Sequence, residues 1–549
     1  MKMKYKILKY IDRYVKNNFN RISVDVFGQD IELGPRGLGL DSIEILSMIC
    51  DLETVFHIEF KSEEYYRLDS IYKLAENIQK HIERDSFLKY CDQFGNSTAI
   101  VDGLKRFSYN DIKNMICETT RHLLDIGIRQ DDTALICIQN GWEYPVLFFS
   151  LLEIGAVPVL ADVTASAEWK EIVDECCCSC YISECSSAEI IGFHRKTEVL
   201  GKKINVRSLE FEKNTVLKEA VLIHYTSGST GGPKGVVHDI ASLRNMFFSF
   251  SKDIQFCGEE KILAALPLSH GYGLSCVFLA GMFSGSCLVM MHRFEPREAV
   301  RLLDTENITH FFGVPPMFQL ILKVLKTKKL ILPALKYCCS SSLEISYDLI
   351  REFYDYTGKV INQEYGSAET GVISYSQFET IPETANCVGK FLYPDKVKIG
   401  ESGDLFISTP EMALGYSNGL YFDQMFVMND LVEMVGDDVF LLGRTKNVLE
   451  CGGKKVFASE VKERLMQTGL FEDAYVCNLG NTEKYVCAFI VWKTGSKLDK
   501  NVLVSRLEEC MDYYKIPSEF RTVSKILRNQ MGKITQKCIQ LMKEKSSIL

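Results

Sequence analysis

Residues 225–235 read Tyr225-Thr226-Ser227-Gly228-Ser229-Thr230-Gly231-Gly232-Pro233-Lys234-Gly235. A loop of this composition brings backbone N–H groups, hydroxyl donors and one ammonium group together, and its glycines let the main chain approach a ligand closely. We therefore predict a polyphosphate-binding loop. It differs from the Walker loop, because Lys234 follows proline and precedes glycine. The alternative is a flexible Gly/Ser linker, which Pro-Lys-Gly after a dense Thr/Ser/Gly block disfavours.

Strand-like and helical segments alternate around this loop. Between residues 86 and 443 the apolar runs of strand length include 134–138, 221–225 and 261–266. This alternation predicts an α/β fold with largely buried sheets, and the loop follows a strand, as phosphate loops of α/β proteins do. Residues 444–549 alternate again and are long enough for a small α+β domain.

Composition and charge limit the classes of function. A chain of 549 residues suggests roughly three to four domains. The hydrophobic content of 46% and charged content of 25% are those of a globular protein. The net charge of −9 offers no basic excess for phosphates, so nucleic acid is not an expected partner.

The 20 cysteines are scattered along the chain, and the basic start at residues 1–6 is not followed by the apolar region of a secretory signal. We therefore expect reduced thiols and a cytoplasmic location. The run at residues 176–180, Cys-Cys-Cys-Ser-Cys, is interpreted as buried free cysteines rather than a zinc site, because no histidine flanks it.

The uncharged stretch 274–291 is long enough to raise the question of a membrane span. Its glycines and serines favour a buried helix followed by a strand, so we expect no membrane span.

The N-terminal residues 1–84 contain a helical pattern. Asp41 or Ser42 can cap a helix whose apolar positions are Ile45, Ile49, Leu52 and Phe56. Its exposed side is expected to be acidic, through Asp41, Glu44, Asp51 and Glu53.

The simplest interpretation of this segment is an ordinary capped helix. The whole segment, with Leu38-Gly39-Leu40-Asp41-Ser42-Ile43 at its centre, resembles acyl and peptidyl carrier proteins, although Ile43 replaces the usual leucine. The resemblance implies an all-α four-helix carrier domain at 1–84 with 4′-phosphopantetheine on Ser42. Residues 79–85 are polar and read as a short, stiff tether.

Further motifs lie along the chain in a fixed order, two before the phosphate loop and the others after it. They are Phe107-Ser108-Tyr109, Gly155-Ala156-Val157-Pro158, Leu266-Pro267-Leu268-Ser269-His270, Val314-Pro315-Pro316-Met317, Tyr365-Gly366-Ser367-Ala368-Glu369, Gly403-Asp404-Leu405 and Gly532-Lys533. With the loop they make residues from about 88 to the C-terminus resemble the adenylate-forming superfamily of acyl-CoA synthetases, luciferases and nonribosomal adenylation domains. The resemblance implies a large α/β unit of stacked sheets and helices at 86–443 and a small mobile α+β unit at 444–549.

The resemblance also assigns roles to residues. Those implied to bind ATP are Thr226, Ser227, Gly228, Ser229, Thr230, Gly231 and Lys234 at the phosphates, Tyr365 and Gly366 at adenine, and Asp430 and Arg444 at the ribose. Glu369 is the implied Mg²⁺ ligand. Ala368 stands where the family has threonine, and Met428-Asn429 where it has Thr-Gly.

The remaining implied roles concern catalysis and the second half-reaction. Lys533 would contact the acid carboxylate and the α-phosphate, and His270 and Glu369 complete the catalytic set. Lys446 is the implied hinge, and Gly452 and Gly453 line the thiol tunnel. The acid pocket is assigned to Gly271, Tyr272, Gly273, Ser341, Ser342 and Gly366.

The residues after His270 bear on the acid. They contain no aspartate to pair with an α-ammonium group, and burying such a group unpaired would be costly. We expect an acid without an α-amino group, with an aryl acid favoured over a fatty acid.

Together these features predict an ATP-dependent acid–carrier protein ligase that forms a carbon–sulfur bond through an acyl-adenylate. It would load its own carrier domain, in cis or in trans, for a nonribosomal peptide or polyketide type of biosynthesis. The implied partners are a phosphopantetheinyl transferase and downstream synthase or tailoring enzymes. The alternatives are an acyl-CoA or aryl-CoA ligase with a vestigial carrier, an inactive adenylation domain that serves as a carrier scaffold, and, on fold analogy alone, an oxidative luciferase-like enzyme.

Overall fold

The protein is represented by a computed structural model that describes residues 2–19, 30–65, 67–84, 86–164, 166, 168–184, 193, 195–206, 213–227, 233–254, 256–401, 403–444, 448–451, 454–478, 486–508, 511–528, 534 and 536–549. The α-helices of these residues are α1 (Lys2–Asn18), α2 (Ser42–Phe56), α3 (Ser62–Tyr65), α4 (Ile71–Arg84), α5 (Phe87–Phe94), α6 (Tyr109–Asp125), α7 (Glu143–Ile154), α8 (Trp169–Glu175), α9 (Thr215–Glu219), α10 (Ile240–Asp253), α11 (Ala280–Ser284), α12 (Pro296–Thr305), α13 (Pro315–Lys328), α14 (Tyr347–Thr357), α15 (Ala458–Gln467), α16 (Lys500–Glu508) and α17 (Gln536–Lys545). A π-helix spans Gly273–Leu279.

The strands are β1 (Thr98–Asp102), β2 (Lys105–Ser108), β3 (Thr133–Cys137), β4 (Val157–Leu160), β5 (Cys180–Ser183), β6 (Arg195–Val199), β7 (Lys202–Val206), β8 (Leu222–Ser227), β9 (Pro233–His238), β10 (Lys261–Ala264), β11 (Cys287–Met290), β12 (His310–Gly313), β13 (Tyr337–Ser340), β14 (Ile361–Ser367), β15 (Gly371–Tyr375), β16 (Cys387–Phe391), β17 (Val397–Ile399), β18 (Asp404–Ile407), β19 (Gly415–Tyr416), β20 (Phe426–Val435), β21 (Asp438–Arg444), β22 (Val448–Cys451), β23 (Lys454–Phe457), β24 (Phe471–Asn478), β25 (Val486–Trp492), β26 (Glu519–Thr522) and β27 (Ser547–Ile548).

Two large sheets carry the centre of the fold. Within the described residues, one has thirteen strands in the order β17-β18-β20-β21-β16-β15-β14-β13-β12-β10-β11-β1-β2, and the other has eight in the order β19-β9-β8-β4-β3-β5-β7-β6. Strands β14, β13, β12, β10, β11 and β1 are parallel to one another. The fully apolar burial of strands such as β3 and β11 is typical of parallel strands covered on both faces.

Helices lie between the sheets and on their outer faces. One continuous core contains Ile136 of β3, Phe148 of α7, Phe250 of α10 and Leu288 of β11, so it joins both sheets through the helices between them. A second core packs α12, α13 and α14 against the outer face of the thirteen-stranded sheet. The predicted α/β organisation of stacked sheets and helices is therefore confirmed.

The C-terminal residues form a smaller unit. Strands β24 to β27 make a four-stranded sheet of their own, and its core includes Leu465 of α15, Leu503 of α16 and Phe520 of β26. This is the small α+β arrangement that the alternation of residues 444–549 predicted.

The apolar stretch 274–291 folds as predicted. Its first part continues the π-helix and α11, its last part contains β11, and all three elements are buried. Within the described residues, no helix combines the length and apolarity needed to cross a membrane.

The cysteine-rich run is buried. Cys176, Cys178 and Cys180 are buried, and Cys177 is half-buried, so the run packs in the core as predicted.

Helix α2 has the predicted cap. The Asp41 side chain accepts hydrogen bonds from the backbone N–H groups of Ile43, at 2.9 Å, and Glu44, at 2.8 Å, and the Glu44 carboxylate accepts one from the Asp41 N–H. Ser42 is thus the first helical residue and is exposed. Glu53 departs from the predicted acidic face, because its carboxylate turns inward and accepts from the Phe60 N–H and the Tyr65 hydroxyl, both at 2.6 Å.

The segment expected to be a tether is mostly helical. Residues 79–84 belong to α4, because Ile78 and Ile82 continue its buried face.

The N-terminal helices pack on the α/β unit. Arg244 of α10 donates to the Phe56 carbonyl oxygen at 2.5 Å, and Asn245 donates to that of Val55 at 2.8 Å and contacts His57 Nε2 at 2.8 Å. These bonds satisfy carbonyl groups at the C-terminus of α2 that the helix itself leaves unpaired. Helix α2 is therefore attached to the large unit at its C-terminal end, with Ser42 at the opposite end.

Ion pairs add a second attachment. Arg13 of α1 pairs with Glu219 and Asp239, which are only 5% and 7% exposed. Tyr421 also donates to Glu219, at 2.9 Å. Without the guanidinium group, two neighbouring buried carboxylates would lose their counter-charge.

Replacing Arg13 with alanine is expected to destabilise this junction by about 2–4 kcal/mol, near the lower end for a broken buried pair because Arg13 keeps 29% of its side chain exposed. Hydrogen–deuterium exchange should rise in α1 and α10, and the urea midpoint should fall. The control is Arg301→Ala, which breaks an exposed pair with Glu298 worth about 0–1 kcal/mol. Equal effects of the two substitutions would contradict the attachment.

Candidate active site

The phosphate loop connects two paired strands. In the β8–β9 hairpin Thr226 lies opposite Lys234, and Ser227 lies opposite Pro233. Residues Gly228, Ser229, Thr230, Gly231 and Gly232 lie outside the described residues. A Cβ at Gly235 would clash with the Ser417 hydroxyl and the Tyr225 ring, so only glycine fits directly after Lys234.

Tyr416 connects the phosphate loop to the predicted metal ligand. The Tyr416 hydroxyl donates to Glu369 Oε1 at 2.9 Å, and the Lys234 ammonium nitrogen lies 5.0 Å from the centre of the same ring. Burial, with the nearby Glu369 carboxylate, raises the pKa of Tyr416, so the phenol remains a donor. Lys234, predicted to bind the phosphates, and Glu369, predicted to bind the metal, therefore lie next to the same tyrosine side chain.

The predicted adenine and ribose residues also meet. The Tyr365 hydroxyl donates to Asp430 Oδ2 at 2.8 Å, and both side chains are 8% exposed. On the neighbouring strand Arg444 lies directly opposite Asp430. An aromatic face beside a carboxylate suits a base and the hydroxyls of its sugar.

Asn429 takes over a conformational role of glycine. Its φ of 55° lies in the left-handed region, which asparagine tolerates better than most residues other than glycine. The chain can therefore turn as the usual Thr-Gly-Asp does and still present Asp430.

Gly366 allows two strands of the sheet to pair closely. A Cβ there would clash with the Gly371 carbonyl oxygen across the β14–β15 hairpin, so glycine permits the close pairing that positions Tyr365 and Glu369 at its two sides.

The acid-pocket residues gather around the start of the π-helix. The Tyr272 hydroxyl donates to the Cys339 carbonyl oxygen at 2.9 Å, which joins this helix to the end of β13. Gly273 lies so close to the Pro267 carbonyl that a Cβ would clash with it. Ser341 is 7% exposed, whereas Ser342 is exposed with a φ of 69°. Ser341 therefore belongs to the buried wall, and Ser342 does not.

His270 is held by a carboxylate. Its Nε2 lies 3.4 Å from Asp162 Oδ2. Burial raises the pKa of Asp162, but hydrogen bonds from His270 and Thr164 outweigh burial and lower it to about 2. Asp162 is therefore ionised at neutral pH and holds the His270 ring, which directly precedes the predicted acid-pocket residues Gly271, Tyr272 and Gly273.

Several predicted residues lie outside the described residues. These are Lys533, Lys446, Gly452 and Gly453, and of Arg444 only the strand position is described.

Four polar residues at this site escaped the sequence reasoning: Asp162, His224, Glu364 and Tyr416. The available signal was weak. His224 and Glu364 are buried polar residues of the strands β8 and β14, and a buried polar residue indicates a function when no structural partner is in view.

The donor set fits ATP with Mg²⁺. Mg²⁺ binds through one or two carboxylates and completes its shell with phosphate oxygens and water. Glu369 has an oxygen beyond the one that Tyr416 contacts, and Lys234 lies across the same ring. Within the described residues, no set of three or more His, Cys, Asp or Glu side chains could hold a metal alone.

Known proteins are similar to this chain. The family model described as "AMP-binding enzyme" matches residues 87–417. The 4-coumarate–CoA ligase-like 6 of Arabidopsis thaliana is 26% identical over 499 residues, covering 80% of this chain and 87% of the relative. The 2,3-dihydroxybenzoate-AMP ligase of Bacillus subtilis (strain 168) is 24% identical over 509 residues, covering 83% and 92%.

Among solved structures, O-succinylbenzoate coenzyme A synthetase from Bacillus subtilis in complex with ATP and magnesium ion superimposes with a TM-score of 0.68 at 19% identity. The match covers 82% of this chain and 98% of that one. The large and small units described above therefore share one known multidomain fold.

Proposed function

The chain belongs to the AMP-binding enzyme family, whose ligases form acyl-adenylates and thioesters, and from this premise we propose that it activates a carboxylic acid without an α-amino group and transfers the acyl group to the phosphopantetheine thiol on Ser42. The observation that carries the adenylation step is the junction at Tyr416, which joins Glu369 to Lys234. It gathers the carboxylate and the ammonium group that a metal-bound polyphosphate requires.

In the proposed first half-reaction, Tyr365 stacks on adenine and Asp430 accepts from the ribose hydroxyls. Lys234 and the phosphate loop hold the β- and γ-phosphates, which leave as pyrophosphate. Bound Mg²⁺ on Glu369 would reduce the repulsion between the acid and the phosphates. Lys533 supplies a positive charge where the acid carboxylate attacks the α-phosphorus.

In the proposed second half-reaction, the C-terminal unit rotates about Lys446. This rotation removes Lys533 and brings in Gly452 and Gly453, so that a thiol can reach the acyl-adenylate. The thiol displaces AMP from the acyl group, and the thiol proton passes to solvent or to the phosphate of AMP.

The carrier role rests on the N-terminal helix. Ser42 is exposed at the start of α2, as a serine that an external transferase must modify has to be. Ile43 and Leu46 beside it are 80% and 51% exposed, so the same end of the helix offers apolar contacts to a phosphopantetheinyl transferase and to downstream synthase or tailoring enzymes.

A second candidate function is CoA ligation, with the N-terminal helices no longer used as a carrier. It is favoured by the names of the relatives, which include a 4-coumarate–CoA ligase-like protein. The aryl acids in those names, with 2,3-dihydroxybenzoate among them, support an aryl acid in either case. An inactive scaffold is the third candidate, motivated by Ala368 and Met428-Asn429.

The test is acid-dependent exchange of pyrophosphate into ATP across a panel of aryl and aliphatic acids, followed by intact mass of the phosphopantetheinylated protein. We expect exchange with an aryl acid and then a mass increase equal to the acyl group. Acyl-CoA formed with no covalently loaded protein would favour the CoA ligase. No exchange with any acid in the panel would favour the scaffold.

A further inference from the structure

Ser417 is a buried serine beside the phosphate loop and belongs to none of the motifs read from the sequence. It is 1% exposed and directly follows Tyr416, which contacts Glu369 and Lys234. Strand β19, which ends at Tyr416, pairs with β9, the strand that leaves the phosphate loop. Ser417 therefore lies where the segment that carries Tyr416 meets the base of the loop.

Ser417 contacts both strands at the base of the phosphate loop. On β8, the Tyr225 hydroxyl oxygen lies 3.4 Å from Ser417 Oγ. On β9, the Gly235 carbonyl oxygen accepts from the Ser417 backbone N–H at 2.8 Å, and a Cβ at Gly235 would clash with Ser417 Oγ. Tyr225 and Gly235 lie opposite each other in the β8–β9 hairpin. One serine is thus packed against the first and the last residue of the run 225–235.

The Ser417 hydroxyl is part of a chain of hydrogen bonds. Ser417 Oγ donates to Glu175 Oε1 at the end of α8, and the Cys176 sulfur lies 3.2 Å from the Tyr225 hydroxyl oxygen. Each hydroxyl or thiol group has one proton to donate. Because Ser417 gives its proton to Glu175, Tyr225 must donate to Ser417, and Cys176 must donate to Tyr225.

The protonation states of the two other donors agree with this order. Burial, with the neighbouring Cys176, raises the pKa of the Tyr225 phenol. Burial also raises the pKa of the Cys176 thiol. Both groups therefore keep their protons at neutral pH, and one member of the cysteine-rich run at residues 176–180 supplies a contact at the base of the phosphate loop.

The main chain of Ser417 is held on both sides. Its N–H donates to Gly235, and its carbonyl oxygen accepts from the side-chain amide of Asn214 at 2.8 Å. Asn214 is itself fixed, because its side-chain oxygen caps α9 by accepting from the Leu217 N–H at 2.9 Å. The Ser417 side chain therefore needs little further ordering to meet its two partners.

We propose that Ser417 is a positioning residue for ATP: through Tyr225 and Gly235 it holds the two strands at the base of the phosphate loop in the geometry that binds the β- and γ-phosphates. This inference rests on the proposed function, in which the loop binds those phosphates. Donors bind an anion best when they are aimed in advance. Loosening the base of the loop should therefore weaken the binding of ATP and leave the binding of the acid unchanged.

The experiment measures acid-dependent pyrophosphate exchange for wild type, Ser417→Ala and a buried control, with ATP and acid varied separately. Ser417→Ala should raise KM for ATP roughly 5- to 20-fold, as expected for one lost buried hydrogen bond, and should leave kcat and KM for the acid near wild type. The control is Ser150→Ala, since Ser150 of α7 is 0% exposed and donates to the Ile116 carbonyl oxygen at 3.3 Å. A merely structural role would lower the urea midpoint of both variants and leave KM for ATP unchanged.

Two further variants test the contacts of Ser417. Tyr225→Phe should also raise KM for ATP, and adding it to Ser417→Ala should raise KM little further, since both substitutions break the same contact. Glu175→Ala covers the case in which Ser417→Ala does not fold, because Glu175 is exposed. It should raise KM for ATP, whereas its control Glu171→Ala, at an exposed position of the same helix, should not.

An unchanged KM for ATP in Ser417→Ala, or in Glu175→Ala where Ser417→Ala does not fold, would overturn the proposal. Fully additive effects of Tyr225→Phe and Ser417→Ala would overturn the path through Tyr225. If no acid supports exchange, adenylation itself fails, and calorimetry of MgATP with the same variants decides the inference. Weaker binding by Ser417→Ala than by wild type and Ser150→Ala supports it, equal binding overturns it, and no binding by wild type overturns it together with the proposed function.

Discussion

Replacing Glu369 with glutamine is expected to reduce acid-dependent pyrophosphate exchange by two to three orders of magnitude, about the loss seen when one preorganised charge-stabilising group is removed. Glutamine keeps the size of the side chain and can still accept from Tyr416, whose hydroxyl lies 2.9 Å from Oε1. It lacks the negative charge that a hard divalent cation prefers. The loss should therefore be partly recovered by raising the Mg²⁺ concentration.

The measurement is the exchange rate as a function of Mg²⁺ at saturating ATP and acid. Glu379→Gln, at an exposed position on a nearby loop, is the matched control and should behave as wild type. Tyr416→Phe should give a smaller loss, since it removes the hydroxyl bond but keeps the ring under Lys234. If Glu369→Gln had wild-type rates and the wild-type Mg²⁺ dependence, Glu369 would not be the metal ligand.

The elements that could be predicted are those with local causes. Helix α2 begins at the capping box that Asp41 and Glu44 form. These two residues lie within four positions of sequence, so the start of the helix can be predicted locally. The stretch 274–291 could be assigned to a helix and a strand because its glycines and serines argue against a membrane span. The order of motifs along the chain similarly indicated the α/β unit and the residues that meet at Tyr365 and Asp430.

The residues that could not be predicted depend on contacts between distant segments. Asp162 precedes His270 by 108 positions, and Tyr416 follows Glu369 by 47. Neither pairing has a local pattern, because each joins a segment next to the thirteen-stranded sheet to a segment of the eight-stranded sheet. Arg13 pairs with Glu219 across 206 positions of sequence. The attachment of the N-terminal helices to the large unit therefore could not be predicted from the sequence either.

This attachment bears on how the carrier would be loaded. Helix α2 is held at its C-terminal end by Arg244 and Asn245, and α1 is held by Arg13. A domain held at these points gains less from the high effective concentration that a flexible tether provides. Loading in cis would then require either that the phosphopantetheine arm alone spans the distance to the active site or that these contacts are released. Arg13→Ala would change the rate of acyl loading without changing the rate of pyrophosphate exchange.

Replacing Ser42 with alanine is expected to abolish covalent loading altogether while leaving pyrophosphate exchange at the wild-type rate. The hydroxyl is the only group of that side chain able to carry phosphopantetheine, and Asp41 rather than Ser42 caps α2, so the helix should persist. The measurement is intact mass after incubation with a phosphopantetheinyl transferase and CoA, and again after adding acid and ATP. Two mass increases are expected for wild type, and none for the variant.

Ser47→Ala is the matched control, because Ser47 is an exposed serine on the same helix. It should be modified and loaded as wild type is. Modification that persists in Ser42→Ala would place the arm elsewhere. Mixing apo wild type, which can adenylate, with holo protein carrying Lys533→Ala separates the two routes, since mass gained by the adenylation-deficient partner can come only from loading in trans. If the Lys533→Ala partner gains no acyl mass in this mixture, whereas holo wild type incubated separately does, the attached domain serves its own active site.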